Sequence, residues 1–290
     1  MESRINCALE LLSGEPLEAI KGFSEDFLEK IDEIRLRVSR PVSLSMSSED
    51  VLLNAVAKPE DIEHAFKTAF SYSIHSYSKE LSSGYITTRG GNRVGICGTA
   101  VITGERNSVE TLKYISSINI RIAREIKGCA DDIVNSCFSK GLCGVLIIGP
   151  PASGKTTVLR DISRQLGNLY KISLIDELNE ISATHRNIAQ NDVGRLTDVF
   201  VGYPKHIGVS TAVRVMSPRA IIVDEIGSVE DGSALEYALH SGVRLITAVH
   251  GISLDEVRKK SVIKKLLSEG AFKYAVELSS ERKLRVMPVD

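Results

Sequence analysis

The chain has 290 residues, of which 43% are hydrophobic and 25% are charged, a balance typical of a folded protein and not of a disordered one. Thirty-six Lys and Arg residues against 37 Asp and Glu residues leave a net charge of −1, which argues against a globally basic nucleic-acid-binding protein. Aromatic residues make up only 5% and Trp is absent, so a platform of aromatic side chains for stacking bases is not expected.

The five cysteines lack the Cys-x-x-Cys spacing of zinc sites, and their odd number does not suit a disulfide framework. We therefore expect reduced thiols and a cytoplasmic protein. The first residues do not resemble a signal peptide, and no apolar run reaches the length of about 18 residues that spanning a membrane requires. Any association with a membrane is expected to be peripheral, without direct insertion.

In residues 1–128 the spacing of apolar residues changes often and each segment is short, which predicts a small α+β domain. Residues 33–38 alternate charged and apolar side chains, as a half-buried strand does. Residues 59–70 carry Pro and acidic residues followed by apolar residues at helical spacing, which predicts an amphipathic helix. Residues 84–98 predict a β-hairpin around a Gly-Gly-Asn turn. A linker is expected near residues 124–130.

In residues 129–290, uniformly apolar runs alternate with helical patterns. Runs that are apolar on both faces suit strands buried between helices, which predicts an α/β domain with a parallel sheet. Four such runs are residues 144–148, 172–175, 220–223 and 245–249.

Residues 149–156 match the phosphate-loop pattern G-x-x-x-x-G-K-[ST], between a buried-strand run and a helical pattern. Backbone N–H groups of such a loop surround a triphosphate, and the helix adds the positive end of its dipole. We expect Lys155 to reach the β- and γ-phosphates of ATP and the Thr156 hydroxyl to bind Mg²⁺. The expected nucleotide-binding residues are Gly149, Pro150, Ala152, Ser153, Gly154, Lys155, Thr156 and Thr157.

Polar residues end three further apolar runs. Asp224 and Glu225 follow one run, where Asp224 would bind the metal and Glu225 would polarise a water for attack on the γ-phosphate. Asp176 and Glu177 end another and could assist the metal or the base, or belong to a capping turn. His250 ends the third and could contact the γ-phosphate or its water, or be structural. Glu225, Glu177 and His250 are the catalytic candidates of this part of the chain.

Together these motifs resemble those of the secretion and traffic ATPases of type II, type IV and pilus systems. That superfamily has a phosphate loop, an acidic box, an Asp-Glu strand end and a histidine box, which appear here in the same order. The resemblance is closer to the stage III sporulation ATPases of endospore-forming bacteria and covers nearly the whole chain. The segments that carry it include residues 33–37, 90–95, 119–125, 149–157, 195–218 and 224–227.

The resemblance implies a fold of the α/β class, a RecA-like P-loop ATPase domain preceded by a smaller α+β N-terminal domain. It also implies a homo-oligomeric ring, expected to be a hexamer, in which nucleotide lies between subunits and arginines complete the site. Arg121 and Arg124 are the favoured catalytic arginines, and Arg195 and Arg214 are weaker candidates.

Two departures from the family pattern stand out. The family commonly has Asp-Glu-Arg-Ser-Glu in the acidic box, whereas residues 176–180 are Asp-Glu-Leu-Asn-Glu, so an arginine is lost. Asn92 stands where the family often has His, an exchange that we expect a turn to tolerate.

The function that the resemblance implies is Mg²⁺-dependent ATP hydrolysis by a ring-forming motor. It would energise assembly of, or transport through, a channel complex between mother cell and forespore. The protein would be cytoplasmic and would reach the membrane facing the forespore through membrane channel proteins of the sporulation complex. Two alternatives stay open: an ATPase stimulated by nucleic acid, disfavoured by the charge, and a nucleotide-gated scaffold with little turnover.

Overall fold

The structure is a computed structural model that describes residues 3–47, 49–70, 84–103 and 108–289. The chain divides into two compact units. Unit 1 comprises Met1–Arg124 and His185–Gln190, and unit 2 comprises Glu125–Thr184 and Asn191–Asp290.

The described part of unit 1 contains a six-stranded antiparallel sheet of order β3-β2-β1-β6-β5-β4. Its strands are β1 (Ile31–Arg37), β2 (Arg40–Met46), β3 (Glu49–Ala57), β4 (Tyr85–Thr87), β5 (Arg93–Thr103) and β6 (Ser108–Arg121). The helices are α1 (Arg4–Leu9), α2 (Gly14–Lys21), α3 (Glu25–Leu28) and α4 (Pro59–Ala69).

The local patterns of unit 1 form the elements that they predict. In β1, Ile34 and Leu36 are buried and the charged residues between and beside them are half-buried. Helix α4 has Pro at its start and buries Ile62, Ala65, Phe66 and Ala69, the face that its apolar spacing defines. Strands β4 and β5 pair as the predicted hairpin, joined through a 3-10 turn.

The segment His185–Gln190 joins unit 1 through hydrogen bonds to the first part of the chain. The Gly90 N–H donates to Gln190 Oε1 at 2.8 Å, and Arg4 Nη2 donates to the Gln190 carbonyl at 3.4 Å. His185 Nδ1 lies 3.2 Å from the Thr87 carbonyl oxygen, which can only accept, so this nitrogen carries the proton. No sequence pattern indicates that this segment belongs with unit 1.

Asn92 links three parts of unit 1 and is fully buried. Its Nδ2 donates to the Arg4 carbonyl at 2.7 Å, and its Oδ1 accepts from the Ala123 N–H at 2.9 Å. Each side of its amide thus satisfies a backbone group from a different segment, a role that its place beside a turn does not predict.

Unit 2 is built on a seven-stranded sheet, counted over its described residues, of order β13-β12-β7-β11-β10-β8-β9. Neighbouring strands are parallel except β12 and β13. The strands are β7 (Val145–Gly149), β8 (Ile172–Asp176), β9 (Thr197–Val201), β10 (Ala220–Glu225), β11 (Arg244–His250), β12 (Tyr274–Leu278) and β13 (Leu284–Pro288). The helices are α5 (Asp131–Phe138), α6 (Lys155–Leu166), α7 (Lys205–Met216), α8 (Val229–His240), α9 (Leu254–Val257) and α10 (Ser261–Ser268). None of the helices in the described parts of the chain has the length and hydrophobicity needed to cross a membrane.

The four apolar runs of unit 2 form the buried strands β7, β8, β10 and β11, as predicted. Because they are parallel, their carboxyl ends meet at one edge of the sheet, which is where open α/β sheets bind ligands. The residues that end them are Gly149, Asp176, Glu225 and His250.

We predict that Asn92→Ala lowers the free energy of unfolding by about 2–4 kcal/mol, because buried backbone groups lose their partners. Thermal or urea unfolding of the full chain measures this. The exposed Asn54, on β3, offers a matched control, and Asn54→Ala should change stability by less than about 0.5 kcal/mol. Equal stability of the two variants would contradict the bridging role of Asn92.

Candidate functional site

The phosphate loop runs from the end of β7 to the first residue of α6. Gly154 precedes the helix with φ +97°, a conformation that favours glycine. Gly149 is constrained by space, because a Cβ there would lie 3.1 Å from Leu278 Cβ and would collide with Ser153 Oγ. The two glycines of the motif therefore meet different requirements, one of conformation and one of close packing against the end of β12.

Two features of this loop fit a phosphate ligand. Ser153 Oγ is buried and has no hydrogen-bond partner among the described residues, and such groups are uncommon in folded proteins. Helix α6 begins at Lys155 with the N–H groups of its first turn and the positive end of its dipole at the loop. Phosphate oxygens can accept from both.

Lys155 is held by the loop itself and by the end of β11. Its Nζ donates to the Gly149 carbonyl at 2.9 Å and to the Pro150 carbonyl at 2.8 Å, and it lies 3.1 Å from His250 Nδ1. Burial lowers the pKa of Lys155, and the carboxylates of Glu225 and Asp224 oppose that shift. A phosphate group that reached Lys155 would compete with these two carbonyl oxygens for the hydrogen bonds that the ammonium group donates.

His250 connects Lys155 to Glu225. An ammonium group can only donate, so His250 Nδ1 accepts from Lys155 and the ring proton lies on Nε2. His250 Nε2 is 3.0 Å from Glu225 Oε2 and donates to it. The three side chains thus form one continuous chain of hydrogen bonds, in which His250 orients the glutamate carboxylate.

Thr156 and Asp224 form the oxygen pair that the sequence predicts for magnesium. Thr156 Oγ1 donates to Asp224 Oδ1 at 3.3 Å. Burial raises the pKa of Asp224 to about 6, with smaller contributions from the carboxylates of Glu180 and Asp176. A divalent cation would relieve both the burial cost and the repulsion, so these residues fit Mg²⁺.

The described part of the chain contains no group of three or more His, Cys, Asp or Glu side chains that could hold a metal ion by themselves. A site centred on Thr156 and Asp224 would be completed by phosphate oxygens and water, which is the usual mode for Mg²⁺ with nucleotides.

The acidic box divides into residues with different roles. Asp176 is buried, and its carboxylate accepts from the N–H groups of Glu180 and Ser182, both at 2.8 Å, and from the Ser182 hydroxyl at 2.7 Å. It therefore shapes the turn after β8. Glu177 forms an ion pair with Lys205 at 3.4 Å, and its catalytic role stays a prediction.

Glu180 is a further carboxylate near Asp224 that the sequence motifs do not single out. Its carboxylate lies near enough to Asp224 to raise the pKa of that group. The signal in the sequence was its place as the last acidic residue of the box, but only the turn held by Asp176 brings it toward Asp224.

Arg121 and Arg124 lie in unit 1, where each pairs with an acidic residue. Arg121 Nε is 3.1 Å from Glu33 Oε1, and Arg124 Nε donates to Asp32 Oδ1 at 2.8 Å. Both side chains are at least half exposed. Their role in a nucleotide site stays a prediction.

The weaker arginine candidates are exposed residues of unit 2. Arg195 Nη2 donates to the Asn168 carbonyl at 3.5 Å, and Arg214 lies on the last turn of α7. The remaining loop residues with a predicted binding role, Pro150, Ala152 and Thr157, lie within or directly after the phosphate loop.

Comparison with known proteins identifies the family. The family model for sporulation stage III, protein AA matches residues 5–287. Stage III sporulation protein AA of Bacillus subtilis (strain 168) is 38% identical over 281 residues, which are 95% of this chain and 91% of that protein.

Two solved structures share the fold. The ATPase DotB of Legionella pneumophila has a TM-score of 0.55 at 16% identity, covering 91% of this chain and 80% of its own. The pilus retraction motor PilT, solved with bound ADP, has a TM-score of 0.58 at 15% identity, covering 90% of this chain and 75% of its own. The predicted fold class, a RecA-like P-loop domain preceded by a smaller α+β domain, is confirmed. The chain belongs to the sporulation stage III protein AA family.

Proposed function

We propose that this protein is a Mg²⁺-dependent ATP hydrolase that works as a ring-forming motor. The observation that carries the proposal is the chain of hydrogen bonds from Lys155 through His250 to Glu225, next to the Thr156–Asp224 pair. These contacts bring an ammonium group, an imidazole and two carboxylates together at one edge of the sheet, which supports roles in phosphate binding, proton transfer and metal binding.

In this mechanism the protein's own groups divide the work. The loop N–H groups and Lys155 bind and orient the phosphates. His250 Nε2 donates to Glu225 Oε2 and fixes the carboxylate, so that Oε1 can accept a proton from the attacking water. Thr156 and Asp224 would hold Mg²⁺, which supplies positive charge against the charge that develops on the phosphate oxygens. Glu180 and Glu177 border this edge as supporting carboxylates.

We further propose that the working form is a homo-oligomeric ring, expected to be a hexamer. Arg121 and Arg124 are partly exposed arginines of unit 1, and we assign them to the nucleotide site of a neighbouring subunit. Motor action then rests on ring states that differ in affinity for ATP and ADP. The family assignment and the fold shared with DotB and PilT support this proposal.

In the cell, we propose that the ring acts at the membrane between mother cell and forespore. Channel proteins of the sporulation complex would recruit it, and ATP hydrolysis would energise assembly of the channel or transport through it. The membership of the sporulation stage III protein AA family supports this placement.

We expect Mg²⁺-dependent ATPase activity whose specific rate rises with protein concentration, because neighbouring subunits complete each site. Glu225→Gln should lower kcat by about 10²–10⁴-fold, as loss of a general base does. Lys155→Ala should weaken ATP binding by about 10–100-fold, because it removes charge-assisted hydrogen bonds. Steady-state kinetics and calorimetry measure these effects.

The same measurements separate the alternatives. A nucleotide-gated scaffold predicts that Glu225→Gln leaves the biological function intact while Lys155→Ala abolishes it. A nucleic-acid-stimulated ATPase predicts a rate increase with single-stranded nucleic acid that disappears as salt rises. A specific rate independent of protein concentration would contradict the ring-assembled site.

His250→Ala should lower kcat by about 10²-fold, because Glu225 loses the donor that orients it. His240 is the matched control: its Nε2 also pairs with a glutamate, Glu269, at 3.2 Å, but it lies at the end of α8, away from the strand ends. His240→Ala should leave kcat within about twofold of wild type. Similar losses in both variants would point to a structural effect and not to orientation of Glu225.

Asp224→Asn should stabilise the protein in the absence of Mg²⁺ while it abolishes Mg²⁺-dependent activity. The pKa of Asp224 is raised from 3.8 to about 6 in the folded state. Below pH 4 the carboxyl group is protonated in both states and has no effect. Between pH 4 and 6 only the unfolded state loses its proton, so the stability cost grows, and it is complete above pH 6.

The expected gain for Asp224→Asn is therefore about 1–3 kcal/mol at pH 7 and declines toward zero near pH 4. Thermal unfolding across this pH range in the presence of a chelator measures it. The exposed Asp255 provides a control, since Asp255→Asn should show no such trend. A gain independent of pH would rule out the buried carboxylate as its source.

A further inference from the structure

The sheet of unit 1 has a covered face and an open face. Alternate residues of β1 and β6, among them Ile34 and Ile120, are buried in one core with apolar residues of helices α1, α2 and α4. These helices therefore lie on the covered side of the sheet. The residues between the buried ones point to the opposite face, because successive side chains of a strand alternate.

Strand pairing brings four arginines together on the open face. Arg121 of β6 is paired with Arg93 of β5 on one side and with Glu33 of β1 on the other. Arg35 and Arg37 follow Glu33 at alternate positions of β1 and so point to the same face. We name the set Arg35, Arg37, Arg93 and Arg121 the arginine face.

Positive charge predominates on the arginine face. Within the paired segments 33–37, 93–97 and 117–121, Glu33 is the one acidic residue against four arginines. Arg35 and Arg121 both pair with it, at 2.8 and 3.1 Å, yet their side chains are 38% and 65% exposed. The surface therefore attracts anions, although the whole chain has a net charge of −1.

An aromatic ring adjoins the arginine face. The Arg93 guanidinium lies over the ring of Tyr85, 5.2 Å from its centroid. Tyr85 is paired with Gly95, and the same row continues through Asn119 to Arg35. Because Gly95 has no side chain, the surface in this row is shallow. A planar base has room there to stack on the ring or on a guanidinium group.

We propose that the arginine face binds single-stranded nucleic acid, an inference independent of the proposed ATPase activity. Guanidinium groups bind phosphates through paired, charge-assisted hydrogen bonds. Arg35 and Arg37 lie two residues apart on one strand, about 7 Å, which is comparable with the distance between successive phosphates of an extended strand. Tyr85 and Arg93 provide the stacking surface that bases require.

Other anionic partners fit the arginine face less well. An acidic peptide that adds to a sheet forms its main-chain hydrogen bonds at a sheet edge. The arginine face instead lies on β1, β6 and β5, which have β2 and β4 on either side. The headgroups of anionic lipids carry phosphate but no base, so they would leave the stacking surface at Tyr85 unused.

The test measures binding of a fluorescent oligothymidylate of about 15 nucleotides to the full chain by anisotropy, without ATP and at several salt concentrations. We expect a Kd of roughly 10⁻⁶–10⁻⁴ M and a log–log salt slope near about −2, as about three neutralised phosphates give. Arg37→Gln and Arg93→Gln should each weaken binding by about 3–10-fold and reduce the slope by about 0.7. Arg37→Lys should keep the slope, because it keeps the charge.

Tyr85→Leu tests stacking separately from charge. It should weaken binding by about fivefold and leave the salt slope unchanged, because it removes only the ring. Lys21, an exposed cation at the end of α2, is the matched control. Lys21→Gln changes the net charge as the arginine variants do and should leave the affinity within about twofold of wild type. Thermal unfolding of each variant should match wild type, which shows that the sheet is intact.

Two further ligands distinguish nucleic acid from other anions: a poly-glutamate peptide of about 15 residues, and vesicles of phosphatidylglycerol. Preference for oligothymidylate, lost in the Arg37→Gln, Arg93→Gln and Tyr85→Leu variants, supports the proposal. Equal or tighter binding of either other ligand would overturn it, as would oligothymidylate binding that these variants leave unchanged or that is absent at low salt. None of these outcomes bears on ATP hydrolysis, which Glu225→Gln tests.

Discussion

The site depends on one geometric constraint: the carboxyl ends of parallel strands meet at a single edge of the unit 2 sheet. Four buried strands end there, at Gly149, Asp176, Glu225 and His250. Hydrogen-bond pairing between the strands fixes these positions relative to one another. The contact of His250 with both Lys155 and Glu225 follows from that pairing, because β11 lies between β7 and β10.

The same strand order gives the two sides of β7 different chemistry. Toward β11 and β10 lie carboxylates, and there burial, with a smaller contribution from neighbouring carboxylates, raises the pKa of Asp224. Toward β12, the buried side chain of Leu278 lies close to Gly149.

Sequence patterns predicted the elements with strong periodicity and the residues that follow buried strands, because these depend on local spacing. They did not predict the roles of Glu180 and Asn92, which depend on contacts between distant segments. Glu180 approaches Asp224 only because Asp176 holds the intervening turn, and Asn92 is buried because Arg4 and Ala123 converge on it.

The segment His185–Gln190 has a consequence for how such a protein can be divided or recombined. Unit 1 is made from two separate stretches of the chain, and Gln190 satisfies the Gly90 N–H. A gene fragment that ended at Arg124 would encode unit 1 without the glutamine side chain that accepts from the Gly90 N–H. A fragment that began at Glu125 would contain residues 185–190 without the part of unit 1 to which they bind. Unit 1 therefore cannot be exchanged between relatives as a single continuous segment. Its two stretches, Met1–Arg124 and His185–Gln190, have to come from the same parent protein.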